Sequence, residues 1–185
     1  MNPTQHLSFV RCDMTQFEAL AAMYARSVEK LQRTVNYPKW NDDHPSRAYI
    51  EASIRRGEQF VCLGNGEVCG AAVLSEDPEG RYDLVNWSRN LQQGEYLVIH
   101  ILAVAPGYER TGVGGFLGNQ SIAYAKAQGY RAVRLDVLPE NLPAIRLYRS
   151  RGFMCAGRHE LMRNIAGIPM FELYELNLQT RESPR

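Results

Sequence analysis

An apolar run that ends in a glycine-crowded turn constrains this chain more than any other feature. "YLVIHILAV", Tyr96 to Val104, is apolar throughout except for His100, and "APGYERTGVGG" follows directly, carrying Gly107, Gly112, Gly114 and Gly115. The run has the pattern of a central strand covered on both faces. Glycines so closely placed weaken any helix or strand, so they must supply backbone angles closed to other residues, or room for close approach. From Gly112 the spacing turns helical, with Val113, Phe116, Leu117, Tyr124 and Ala127 on one stripe and Gly129 as the stop. "RAVRLDVL" alternates again as a strand, so Ala103 to Leu138 reads as one βαβ unit.

A glycine turn between a buried strand and a helix N-terminus presents unpaired backbone N–H groups at the positive end of the helix dipole, which suits a phosphate or pyrophosphate. The other reading is a tight turn with close helix-to-sheet packing. Spacing narrows the ligand. A dinucleotide fingerprint needs GxGxxG, but after Gly112 and Gly114 the third glycine position is Leu117. A nucleoside-triphosphatase loop needs GxxxxGK; Gly107 and Gly112 have the spacing, and Val113 stands where the lysine belongs. A diphosphate that is held and not cleaved needs neither.

The rest of the chain supplies the frame. "LSFVRC" alternates like a strand, and from Thr15 onward Phe17, Leu20, Ala21, Tyr24, Val28 and Leu31 recur at helical spacing. A second helix is predicted from Ser46 to Gly57, after the loop "NYPKWNDDHP". "QFVCLGNGEVCGAAVLS" reads as a hairpin turning at Gly64, Asn65 and Gly66. "EDPEGRYDLVNW" reads as a loop leading into a short extended piece. Asn141 is placed to cap a helix carrying Ile145, Leu147 and Tyr148, with Gly152 as its end and "FMCAG" and "MFELYEL" as two late strands.

With 185 residues and 45% hydrophobic content, one core is the expectation: a single domain over 1–178, then a polar tail over 179–185. A formal charge of +1 selects neither nucleic acid nor an acidic membrane surface, so any anion site is local. Cys12, Cys62, Cys69 and Cys155 make no CxxC pair, and His6, His44, His100 and His159 make no HExxH spacing. A metal-free, reduced, cytoplasmic setting is expected. The N-terminal residues carry no signal-peptide pattern, and no apolar run is long enough to span a bilayer.

"LAVAPGYERTGVGGFL" together with "LDVLPENLPAIRLYRSRGF" resembles the cofactor-binding core of the GNAT N-acetyltransferase superfamily. In that family a turn written Q/R, two variable residues, Gly, a variable residue, then Gly or Ala grips the pyrophosphate of acetyl-CoA. Glu109, Arg110, Thr111, Gly112, Val113 and Gly114 occupy the six positions, and Gly115 follows. Glu109 departs from the usual Gln or Arg; its carboxylate is expected to repel a pyrophosphate, with Arg110 next door to offset it. Asn141, Ala144, Leu147, Tyr148, Gly152 and Phe153 reproduce the family's "N..A..LY...GF". The resemblance implies an α+β fold: a mixed, mostly antiparallel central sheet with a βαβ cofactor core and flanking helices.

The resemblance also implies roles. Leu102, Ala103 and Val104 would offer backbone groups of a splayed strand to the pantetheine arm and acetyl carbonyl. Tyr148 stands where the family often places the tyrosine that protonates the departing thiolate; otherwise it is a helical tyrosine packing its ring. Asn141 bonds the cofactor arm, caps its helix, or does both. For the base there are two candidates. His100, two before Leu102, resembles a histidine lining the amine channel of arylalkylamine N-acetyltransferases, and histidine's reference pKa near 6.5 suits the task. Asp136 matches a glutamate of ribosomal-protein N-terminal acetyltransferases, or else is a strand-end carboxylate paired with Arg134 or Arg146. Tyr37, Trp40, Tyr82 and Trp87 are aromatic candidates for the acceptor region.

The function implied is acetyl transfer from acetyl-CoA to a primary amine of a small molecule, by direct attack in a ternary complex. A protein N-terminus or lysine as acceptor, and a non-catalytic acyl-CoA-binding module, are the alternatives. The late strands leave room for a homodimer.

Overall fold

The computed structural model describes residues 6–163 and 170–179. Among the described residues seven strands, β1 (Leu7–Arg11), β2 (Gln59–Gly64), β3 (Glu67–Ser75), β4 (Tyr96–Val104), β5 (Ala132–Val137), β6 (Met154–His159) and β7 (Phe171–Asn177), form a sheet in the order β1-β2-β3-β4-β5-β7-β6, and α-helices follow β1, β4 and β5. The described residues gather into two compact units, one of those up to Leu74 with His100–Gln120, the other of Ser75–Ile99 with those from Ser121 onward.

In the first unit, β1 (Leu7–Arg11) leads into α1 (Phe17–Arg33) through a single turn of 3-10 helix at Met14–Gln16, so the regular helix begins two residues after the expected Thr15. Asp13 closes that turn as one half of a capping box with Gln16. α1 buries Leu20, Ala21, Tyr24 and Val28, the stripe its sequence spacing dictates, together with Met23. α2 (Arg47–Arg55) starts where Ser46 accepts a hydrogen bond from the Tyr49 N–H at 3.1 Å. Between the helices, the Asn36 amide clamps Trp40 by donating to its carbonyl and accepting from its N–H. β2 (Gln59–Gly64) and β3 (Glu67–Ser75) form an antiparallel hairpin. Asn65 and Gly66, with φ of 53° and 87°, are the two positive-φ residues its tight turn requires.

β4 (Tyr96–Val104) and α3 (Val113–Ala127) run through both units. In the second unit the first half of β4 pairs in parallel with β5 (Ala132–Val137), from Tyr96↔Ala132 to Val98↔Arg134, which makes the βαβ unit real. β7 (Phe171–Asn177) lies antiparallel between β5 and β6 (Met154–His159). α4 (Leu142–Arg149) is capped by Asn141, whose Oδ1 accepts from the Ala144 N–H at 3.3 Å.

The stretch expected to become extended near Trp87 instead holds a 3-10 turn at Tyr82–Leu84. Its cause is packing. Tyr82 is buried among Tyr96, Leu161 and Phe171, and the Trp87 indole N–H donates to the Tyr82 carbonyl at 2.8 Å, closing the turn on itself. Nearby, Arg134 is wholly buried: its guanidinium lies between the rings of Trp87 and Tyr96, 4.2 and 4.1 Å from their centroids, and pairs with Glu175 at 2.9 Å. A buried cation is tolerated only when paired and hydrogen-bonded in this way. The expected polar tail, apart from Gln179, lies outside the described residues.

Candidate functional site

The turn after β4 is built from positive-φ positions. Gly107, Arg110 and Gly112 have φ of 94°, 62° and 97°. Thr111 ties it down, its hydroxyl donating to the Tyr108 carbonyl at 2.6 Å. The first helical bond of α3 runs from the Phe116 N–H to the Gly112 carbonyl at 2.9 Å, so the N–H groups of Val113, Gly114 and Gly115 precede any acceptor within the helix. A Cβ added to Gly107 or Gly112 would meet nothing within 4 Å. These two glycines therefore serve the backbone angle, and the space over them is open. The residues present fit a diphosphate: successive amides, a helix dipole and an uncrowded surface.

Glu109 does not face that surface as a bare charge. One carboxylate oxygen is paired with the Lys30 ammonium from the last turn of α1, and the other accepts the Gly107 N–H at 2.8 Å. Burial by itself would raise its pKa, but the hydrogen bonds from Lys30, its own N–H and that of Gly107 hold it below the ordinary glutamate value. The expected compensation by Arg110 is thus supplied instead by Lys30, a residue that sequence inspection did not single out.

Packing beneath the turn fixes its place. Val113 and Leu117 bury themselves against Cys62 and Cys69 of the hairpin. The two thiols, far from any CxxC spacing, lie 3.3 Å apart, and burial pushes the Cys62 thiol up to about 12. Gly70 of β3 makes the contact possible. A Cβ there would lie 2.8 Å from the Ala103 carbonyl oxygen, 2.9 Å from Leu117 Cδ1 and 3.0 Å from Val113 Cγ1. A glycine inside a strand is a sequence signal for such close approach, and it could have been read.

On β4, His100 is buried, and Ile101 adopts a φ of 38°. A β-branched residue in that region is strained, and strain of this kind marks a position held by its surroundings. The holder is Tyr24 of α1, whose hydroxyl donates to the Ile101 carbonyl at 3.1 Å. Beyond it, Ala103 packs with the α1 and α2 core while Leu102 and Val104 pack toward α3, the alternation of a resumed strand. The first unit thus brings together His100, Leu102 to Val104 and the turn from Glu109 to Gly115. Trp40, edge-on to Tyr24 with 6.0 Å between ring centroids, joins the same unit, whereas Tyr82 belongs to the core of the other and Trp87 packs against it.

The second unit holds Asp136, Asn141 and Tyr148. Asp136 is not paired with Arg134 or Arg146. Arg163 grips both its oxygens at 2.7 Å while also donating to the Pro78 and Glu79 carbonyls, and the Tyr82 hydroxyl adds a third donor at 2.7 Å. Such a carboxylate is committed to its partners. The Tyr148 ring packs edge-on to Phe153. Burial, then the negative charge of Asp136, push its hydroxyl well above the usual tyrosine value, so it stays protonated at neutral pH. Among the described residues no cluster of His, Cys, Asp and Glu could hold a metal ion, and no helix is long and apolar enough to cross a membrane.

Comparison with known proteins agrees with this frame. The family model for the acetyltransferase (GNAT) family matches residues 25–153. An uncharacterized N-acetyltransferase of Methanocaldococcus jannaschii is 34% identical over 110 residues, 58% of this chain, and the streptothricin acetyltransferase of Streptomyces lavendulae is 30% identical over 99 residues, 53% of this chain. The matched stretch spans 45% of each relative, under half of their length. An acetyltransferase of Salmonella typhimurium solved with its cofactor acetyl-CoA superposes with a TM-score of 0.66 at 21% identity, covering 97% of this chain and 98% of that one. With the family model matched over well over half its length, this chain belongs to the acetyltransferase (GNAT) family.

Proposed function

We propose that this protein is an acetyl-CoA-dependent N-acetyltransferase acting on the primary amine of a small molecule, by direct attack in a ternary complex. The observation that carries the reading is the turn from Gly107 to Gly115, whose positive-φ glycines and open surface lead into α3 behind a β4 distorted at Ile101. Family membership and the acetyl-CoA bound by the Salmonella typhimurium protein support the choice of ligand. The name of the Streptomyces lavendulae relative, an acetyltransferase for streptothricin, favours a small acceptor over a protein.

Acetyl-CoA supplies an activated thioester. In this reading the amides of Val113, Gly114 and Gly115 bind its diphosphate, and the backbone of Leu102 to Val104 orients the pantetheine arm. Asn141 serves that arm as well as capping α4. His100 takes the amine proton through water, since Asp136 is already engaged by Arg163 and Tyr82. Tyr148, which burial keeps protonated while also making it a weaker acid than a free tyrosine, returns a proton at the thiolate sulfur.

The test is thiol release from acetyl-CoA across small amines, amino acids and peptides, with thermal shift as the binding readout. Acetyl-CoA raises the melting midpoint by ligand linkage, and a small amine accelerates thiol release. A shift with ATP and magnesium but none with CoA or acetyl-CoA overturns the reading; acceleration by peptides alone moves the acceptor to a protein.

A further inference from the structure

The glycine turn departs from its family's pattern at the first position, where a carboxylate stands in place of an amide or a guanidinium. A diphosphate beside an unneutralised Glu109 would face like-charge repulsion. The structure supplies the missing cation from elsewhere. Lys30 lies in the last turn of α1, 79 residues before Glu109, and its ammonium is paired with Glu109 Oε1. Glu109 is fixed in turn, since Oε2 accepts the Gly107 N–H at 2.8 Å. The carboxylate is therefore a bracket with one oxygen on the turn's backbone and the other on the lysine.

An ammonium has three donors, and this bracket uses one. The Lys30 and Glu109 side chains are 47% and 39% exposed, so the remaining donors stay open to solvent. A solvent-exposed pair of this kind contributes little to stability. Stability is thus a weak reason for it. Placing a positive donor at an anion cradle is a stronger one.

We propose that Lys30 is a ligand of the cofactor's diphosphate, doing from α1 what the family's Gln or Arg does from the turn, and that Glu109 is its positioning residue. The proposal rests on the reading of the turn as an acetyl-CoA site. With the site filled, the Lys30 ammonium keeps its bond to Glu109 and donates a second one to a diphosphate oxygen. Net charge at the bracket is zero, so the attraction comes from the nearer, donating partner.

The experiment compares three probes by calorimetric titration: acetyl-CoA, its 3′-dephospho form, and S-acetylpantetheine, which lacks the diphosphate together with the adenosine. Wild type binds the first two much more tightly than the third; equal affinity for all three overturns the acetyl-CoA reading of the turn itself. Lys30→Gln weakens acetyl-CoA and its dephospho form alike, by about tenfold, the usual scale for one charge-assisted hydrogen bond, and leaves S-acetylpantetheine unchanged. Lys30→Arg retains most of the affinity.

The double variant Lys30→Gln, Glu109→Gln, compared with wild type, separates contact from neutralisation. Affinity for acetyl-CoA that stays below wild type supports the ligand role. If the double variant regains wild-type affinity, Lys30 only masks the carboxylate and the proposal falls. It falls equally if Lys30→Gln weakens acetyl-CoA but not the dephospho form, which assigns the lysine to the 3′-phosphate, or if it changes nothing while wild type still prefers acetyl-CoA over S-acetylpantetheine.

Discussion

Gly70→Ala tests the link between core packing and the candidate cofactor turn with one methyl group. The added Cβ would sit 2.8 Å from the Ala103 carbonyl oxygen, 2.9 Å from Leu117 Cδ1 and 3.0 Å from Val113 Cγ1. Ordinary contacts lie at about 3.5–4.0 Å, so the neighbours must retreat by roughly half an ångström or more. None retreats freely: Ala103 O is backbone, and Val113 and Leu117 are fully buried. Overpacking of this kind costs about 2 kcal/mol. Loss of unfolded-state freedom returns about 0.5–1 kcal/mol, leaving a net destabilisation of about 1–1.5 kcal/mol. For a chain of this size that lowers the melting midpoint by about 2–6 °C. The displaced atoms belong to Ala103 and the first turns of α3, so the KM for acetyl-CoA rises as well. Gly66→Ala is the control: its φ of 87° makes it strained, yet nothing lies within 4 Å of the added carbon, and the hairpin tip bears no proposed contact. It loses stability and keeps its KM. An unchanged midpoint and KM in Gly70→Ala would refute the claim that β3 sets the position of the turn.

Tyr24→Phe removes the hydroxyl that holds the part-buried Ile101 carbonyl, costing about 1 kcal/mol for the lost hydrogen bond, and turnover falls with it; chemical denaturation and steady-state kinetics measure both. Tyr148→Phe keeps the ring packing on Phe153, so stability and acetyl-CoA affinity hold while turnover drops by about one to two orders of magnitude; undiminished turnover returns Tyr148 to a packing role. Asp136→Asn leaves the Arg163 guanidinium with neutral acceptors only and destabilises the fold by about 3 kcal/mol, read as a fall in the denaturation midpoint; a loss under 1 kcal/mol sinks the clamp. Glu172 is buried, which raises its pKa, but the Tyr174 hydroxyl and Arg158 outweigh this and hold it below 4.5. Its contribution is therefore present above pH 4.5 and is lost as pH falls through the lower folded value, so Glu172→Gln flattens the acid limb of a stability–pH curve.

Much of this molecule is written locally. The stripe of α1, the Asn65–Gly66 turn, the Ser46 and Asn141 caps, and the strand–turn–helix from Tyr96 to Ala127 each depend on residues a few positions apart. Periodicity, capping and positive φ are short-range properties, and a sequence displays them directly. The same holds for the glycines at 107 and 112, whose φ is a local demand. Where local signals competed with packing, packing won: the segment before Trp87 bends into a 3-10 turn because Tyr82 is a core residue against which Trp87 packs, which their spacing does not reveal.

The site's electrostatics belong to the other class. Lys30 meets Glu109 across 79 residues, Tyr24 meets Ile101 across 77, Asp136 meets Arg163 across 27, and Gly70 meets Ala103 on the neighbouring strand. By itself the sequence determined the family motif, the order of elements and the glycine turn, because those follow from nearest neighbours along the chain. Only the tertiary structure decided which lysine answers Glu109, which tyrosine holds the distorted strand and which arginine claims Asp136. A charge or hydroxyl is recognisable as such in a sequence, but its partner is chosen by the burial of everything between them.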